Sequence, residues 1–292
     1  MESPRHHLTT ILAGVLLACA GLTATACAET TRADTAGGAK DGVHTTNART
    51  CTRTAGVVRC VIRLSGTITT SQLRSQIRSA PSGPVEVRPT PGGSLTVTGN
   101  EFEVPRGRVT LAGIRFEGVV NFGPSAGGSR LIRSSALGFS IIGPDDIVIS
   151  GNTLDGRGRV ANNIIWDSDR GVPERYVIRK NVLRNYYDAA NPDTHSEALF
   201  VGFSGSGMID HNVFVNNGTT AHIFFSWYGA RADPSRSWPR NICVRANRFG
   251  RTHNAYYDIN FRAEIPVAAS KVRIDPLQRA SVTNRSFTKR CP

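Results

Sequence analysis

One eight-residue pattern recurs along the chain and limits what it can fold into. Four copies are clear: Ile147 to Leu154 (IVISGNTL), Tyr176 to Leu183 (YVIRKNVL), Gly207 to Phe214 (GMIDHNVF) and Ile242 to Phe249 (ICVRANRF). Each has apolar residues at alternating places, then Asn, one further residue, and Leu or Phe. Val109 to Phe116 (VTLAGIRF) and Arg130 to Leu137 (RLIRSSAL) fit the same frame with the Asn replaced. The sixth place falls at Ile114, Ser135, Asn152, Asn181, Asn212 and Asn247, with spacings of 21, 17, 29, 31 and 35. A period of about 20 that lengthens irregularly describes a solenoid with loops inserted into some turns. The alternation has period two, so the unit is built on strands. Asn just after a strand suits a tight bend, because it tolerates left-handed φ and its amide can bond nearby backbone. Stacked turn upon turn, such residues would bond one another in an inward-facing ladder.

This pattern resembles the right-handed parallel β-helix of the pectate-lyase-like superfamily, over roughly residues 83–275. The resemblance implies an all-β solenoid. It leaves function to the site, because that fold hosts lyases, hydrolases, epimerases and non-catalytic adhesins.

The rest of the chain reads as export and capping. Residues 1–28 are expected to be a signal peptide, with Arg5, an apolar run from Leu8 to Leu22, and small residues at Ala24, Ala26 and Ala28. Cys27 or Cys19 would instead carry a lipid anchor on a cell-surface lipoprotein. No other stretch approaches ~18 uninterrupted apolar residues, so no transmembrane span is expected. Residues 29–49 read as a disordered tether and 50–82 as an N-terminal cap. The cap holds a hairpin from Thr50 to Leu64 and a short helix from Ser71 to Arg78, covering an edge that would otherwise invite aggregation. The β-helix occupies 83–275, and 276–292 pack on the last coil. Once the signal is removed, Cys51, Cys60, Cys243 and Cys291 remain, an even count that reads as two disulfides in an exported chain. The formal net charge of +13 favours an anionic partner, first an acidic polysaccharide. No nucleic acid partner is expected, and the protein is expected to act as a monomer.

A second strand follows each repeat, at Gly118–Phe122, Phe139–Ile142, Asn163–Trp166, Glu197–Val201, His222–Trp227 and Tyr257–Phe261. The loop before Glu197 carries about six extra residues, and further long loops run from Asp167 to Glu174 and from Tyr228 to Arg240. Long polar loops on adjacent turns of a rigid coil build a groove.

Chemistry is expected in that groove. Alternation puts Asp193, His195 and Glu197 on one side of the chain, within ~14 Å, as acid–base partners. A similar His-Ser/Gly-Glu/Asp-Ala phrase at a strand start is a feature of exported β-helix proteins that this stretch resembles. Lys180 and His211 share one letter of the repeat, and Arg179 and Asp210 share the preceding one, so parallel stacking brings each pair to ~4.8 Å. A lyase needs a base and a group that neutralises the uronic-acid carboxylate, and Lys180 and His211 are candidates for both. His222 is expected to stack near His195. Tyr228, Arg231, Arg236, Tyr187 and Asp188 are candidate substrate-binding residues, whereas alternation turns Trp227 inward. Asp167 and Asp169, with Asp145 and Asp146, are candidate oxygen ligands for Ca²⁺. Two carboxylates among Asp188, Asp193, Glu197 and Asp167 would instead run a glycosidase. Complete signatures of named subfamilies are missing: Pro192-Asp193-Thr194-His195 only partly echoes the Asp-Pro-His-Asp of mannuronan epimerases. The expectation is therefore an extracellular enzyme on a uronic-acid polysaccharide, by β-elimination or epimerisation. Hydrolysis is the alternative, and non-catalytic glycan or envelope binding the other.

Overall fold

The computed structural model describes residues 47–160, 162–191, 195–227, 238–255 and 257–291. The expected signal peptide, Cys19, Cys27 and the tether up to residue 46 lie outside the described residues.

The chain is an all-β parallel β-helix. Its sheets contain ten, eight and seven strands. Each repeat is two strands, not one, because the ladder residue turns a corner in the middle. Val148–Ser150 joins the first sheet and Thr153–Asp155 the second, with Gly151 and Asn152 between them. The expected second strands form the third sheet, as at Asn162–Trp166 and Glu197–Val201. Register holds identical places in line: Ile149, Ile178, Ile209 and Val244 stack as one buried column. Burying a side chain of this size stabilises by about 1.5–3 kcal/mol.

The corner explains the repeat's fifth and sixth letters. The fifth is left-handed in every coil, with φ between 47° and 70° at Gly113, Arg133, Gly151, Lys180, His211 and Ala246. The sixth points inward as a ladder. Asn152 donates from its backbone N and its Nδ2 to Asn181 Oδ1, both at 2.9 Å. Asn181 does the same to Asn212 at 3.0 Å, and Asn212 to Asn247 at 2.8 and 2.9 Å. Each Nδ2 also donates to a carbonyl of the preceding coil, as Asn181 does to Ile149 O. One frame differs from expectation: the ladder residue after Arg130 is Ser134, not Ser135. Ser134 N donates to Asn152 Oδ1 at 2.8 Å, and Ser134 Oγ accepts from Ile114 N at 3.1 Å. The alternation Arg-Leu-Ile-Arg-Ser-Ser is satisfied by either serine, and only the corner geometry separates them.

Both ends are closed. The hairpin pairs Asn47–Thr54 with Val57–Leu64, stapled by Cys51–Cys60, and its second strand is the first rung of the parallel sheet. It starts earlier than Thr50 because Arg49 donates to the carbonyls of Gln76 and Ser79 and ties those residues to the helix. That helix, Thr70–Arg78, is capped reciprocally by Thr69 and Gln72, and buries Leu73 and Ile77 over the first coils. At the other end Cys243–Cys291 holds the tail. Arg273–Ile274 adds a further rung, Gln278 Oε1 continues the ladder beneath Asn247, and Phe287 stacks on Phe261 at 3.9 Å. Among the described residues no helix is long and apolar enough to cross a membrane.

Candidate functional site

The outward face of the third sheet changes character along the helix. Strand register places Glu103, Asn121, Ser140, Ile164, Phe200, Phe224 and Asn260 in one column. Its N-terminal end is polar: Asn121 Nδ2 donates to Glu101 Oε2 at 3.4 Å, and Ser140 Oγ donates to Asn121 Oδ1 at 2.8 Å. A cavity of about 580 Å³ lies over this end, lined by Arg74, Glu101, Glu103, Asn121, Ser140 and Asn162, with Val119, Ile142 and Ile164 as apolar floor. The middle is aromatic, with Trp166 edge-on to Phe200 at 6.0 Å and Phe200 to Phe224 at 5.6 Å.

His195 and Glu197 meet at this face. Glu197 opens its strand between Asn162 and Ala221, and its backbone N donates to Asn162 Oδ1 at 2.8 Å. His195 Nδ1 lies 2.7 Å from Glu197 Oε1; the carboxylate is fully buried, while the imidazole side chain is 63% exposed. The ring leans on Phe224 at 5.1 Å. With Glu197 ionised, Nδ1 must carry the hydrogen, which leaves Nε2 free to exchange a proton. The hydrogen bond from Glu197 raises the His195 pKa above its ordinary value, and the nearby Arg262 guanidinium works against that rise. Burial raises the pKa of Glu197, opposed first by its bond to His195. Glu197 Oε2 is buried with no partner in good hydrogen-bonding geometry among the described residues, and the Thr220 side chain contributes only the weakest of the effects that lower the Glu197 pKa. Arg262 also lies over the Trp227 ring at 5.6 Å and within 3.4 Å of Glu264.

The other expected site residues distribute differently. Lys180 and His211 do stack at one letter, with Lys180 N donating to Asp210 O, but at the exposed corner between the first and second sheets. His195 leads into a strand of the third sheet, so the structure does not bring the two groups together. There His211 Nδ1 is 2.7 Å from Asp210 Oδ1, and Arg245 is 3.6 Å from Asp210 Oδ2. His222 is a core residue, not a neighbour of His195. Register pairs Ala221 with Glu197, which turns His222 inward. It is fully buried, with Nε2 donating to Gly250 O at 3.0 Å and Nδ1 accepting from Asn217 Nδ2 at 3.2 Å. Burial holds its pKa below the ordinary value, consistent with a neutral ring.

In the inserted loop, Tyr187 stacks on His253 at 4.1 Å, and Asp188 Oδ1 accepts from Ala190 N and Asn191 N. Asp188 therefore shapes its own turn. Trp227 is half-buried instead of inward, because its strand ends at Phe225 and alternation stops there. Asp145 and Asp146 are engaged by Arg175, at 3.1 and 2.7 Å, and Asp167 is fully buried. Among the described residues no three His, Cys, Asp or Glu side chains are grouped to hold a metal ion. Asp193, Tyr228, Arg231 and Arg236 lie outside the described residues. Sequence reasoning missed Arg262, Phe200, Phe224, Glu101 and Glu103 as members of this face. The outward register of the third sheet was their signal, available once the second strands are aligned with one another.

A scan of family models finds no match to the chain, and searches of curated proteins and of solved structures find none either.

Proposed function

We propose that the chain is an extracellular carbohydrate-active enzyme of the pectate-lyase-like kind, acting by proton abstraction on a carboxylate-bearing glycan. The observation that carries this reading is the His195–Glu197 pair, a buried carboxylate behind an exposed imidazole on a groove-forming face. His195 Nε2 takes the proton from the sugar carbon beside the carboxylate. Glu197 fixes the ring and stabilises the imidazolium, and Arg262 neutralises the substrate carboxylate as negative charge builds on it. In β-elimination the C–H electrons form a C=C bond and the glycosidic oxygen leaves; in epimerisation the proton returns from the other face. The aromatic column offers flat apolar surface to sugar rings. Two disulfides fit an oxidising, extracellular setting.

Hydrolysis is less well supported, because it needs two carboxyl groups flanking the bond. Glu197 is shielded behind His195, and Asp188 is engaged in its own loop. Binding without turnover is the second reading. It is favoured by one observation: among the described residues His195 has no second proton carrier within hydrogen-bonding distance.

The test is a panel of acidic and neutral polysaccharides, read for near-ultraviolet absorbance and for reducing ends, with the intact protein and with His195→Ala. New absorbance lost in the variant supports elimination. Reducing ends without absorbance would move the reading to hydrolysis. Retention on a polymer with neither signal would leave a binder or an epimerase, separated by product stereochemistry.

A further inference from the structure

The charges along the third-sheet face are not uniform, and they do not follow the net charge of the chain. At the C-terminal end stands Arg262, just past the strand two rungs beyond the dyad's own and over the Trp227 ring. At the N-terminal end Glu101 and Glu103 are exposed, with Arg74 as the cation lining the same cavity. Between them Asn121, Ser140 and Asn162 offer neutral donors and acceptors over an apolar floor. The dyad's strand lies four strand spacings from the Glu101–Glu103 strand, about 19 Å. The basic excess of +13 lies partly elsewhere, since Arg115, Arg133, Arg179, Lys180 and Arg248 are exposed at or beside the corner between the first and second sheets.

Resting on the reading of this face as a glycan site, we infer that the groove takes a mixed chain. One carboxylate-bearing unit sits at Arg262, and uncharged, hydroxyl-rich units lie over the N-terminal coils. A run of uronates would put like charges opposite Glu101 and Glu103, which is penalised in a partly enclosed cavity. Hydroxyls instead match amide and serine side chains, and sugar faces match Val119, Ile142 and Ile164.

Binding to the His195→Ala protein, whose turnover is expected to be about 10²–10⁴-fold slower, tests this by calorimetry. The probes are three oligosaccharides of equal length: a homo-oligouronate, one alternating uronate with neutral units, and a neutral one. The alternating probe is expected to bind about tenfold more tightly than either other. Glu101→Gln with Glu103→Gln should raise homo-oligouronate affinity about fivefold and leave the alternating probe unchanged. A homo-oligouronate that binds as well as the alternating probe, and is indifferent to the double substitution, would overturn the inference. A neutral probe that binds as well as the alternating one would remove the role of Arg262. No binding by any of the three would sink the glycan reading itself. Binding by the expected rank without turnover in the unsubstituted protein would sink only the enzymatic reading.

Discussion

Two histidine–carboxylate pairs in this molecule share the same separation and differ in almost everything else. His195–Glu197 and His211–Asp210 are each 2.7 Å apart, and both imidazoles are more than half exposed. Glu197 is wholly buried, has Oε2 in no well-formed hydrogen bond among the described residues, and holds an imidazole that leans on Phe224 of the aromatic column. Asp210 keeps some exposure, shares its charge with Arg245, and precedes a corner residue, His211, held at positive φ. A short contact therefore does not define a site. What separates the pairs is whether a second charge shares the carboxylate, as Arg245 does Asp210, and what the ring leans on, which for His195 is Phe224.

The widest separation between them should appear in turnover. His195→Ala should lower kcat/KM about 10²–10⁴-fold, the range for loss of a general base. The same substitution leaves Glu197 buried without its partner, so the carboxyl should take up a proton. The thermal midpoint is then expected to hold near pH 5 and fall by pH 8. Unchanged turnover with a lowered midpoint at both pH values would reduce the pair to a structural contact.

The ladder gives the next largest effect, on stability alone. Asn181→Ala leaves Asn152 N without its partner and removes one donor from Ile149 O, while Asn152 Nδ2 keeps its bond to Leu131 O. Unsatisfied buried groups cost about 1–3 kcal/mol, which urea unfolding would register as a lower midpoint with unchanged slope. A smaller loss would mean that water enters the corner.

Histidine titration sharpens the comparison without any rate. His195 is raised by Glu197, so its stabilising pair is complete below its unfolded pKa and is lost as pH rises through the folded value. His222 is depressed by burial, so its contribution is present above the unfolded value and is lost as pH falls through the folded one. NMR should show the His195 imidazole titrating above, and His222 below, the ordinary value of about 6.5. Glu197→Gln should move only His195 downward, and with it the acid limb of kcat/KM. A His195 that titrates at the ordinary value in both proteins would remove the electrostatic case for the dyad.

The coil was legible in the sequence because its constraints are local. Alternation, a left-handed corner and an amide after it recur within eight residues, and each has a physical cause readable in one dimension. The His195–Glu197 pair was legible for the same reason, being two residues apart where the chain enters one strand. The slip from Ser134 to Ser135 marks the limit, since two adjacent serines satisfy one pattern and only the corner's hydrogen bonds choose between them. His222 and Arg262 were misjudged or missed because their places depend on register between coils. One residue of shift turns His222 into the core, and Arg262 reaches His195 across two strands. Gln278 continues the ladder from a tail that carries no repeat at all, so nothing local announced it.

The smallest expected effect bears most directly on the corner. Gly113 and Gly151 already stand where Lys180 and His211 do, with φ of 69° and 70° against 55° and 53°. Lys180→Gly and His211→Gly therefore install a residue the fold uses at that letter, relieving the side-chain penalty of left-handed backbone while adding freedom to the unfolded chain. The two effects are of similar size, so stability should change by less than about 0.5 kcal/mol, as at ordinary surface positions. Turnover should stay within about twofold, because neither side chain faces the third sheet. If either substitution lowered kcat/KM more than tenfold with the midpoint unchanged, substrate would have to span both faces of the helix. The groove would then no longer account for the site.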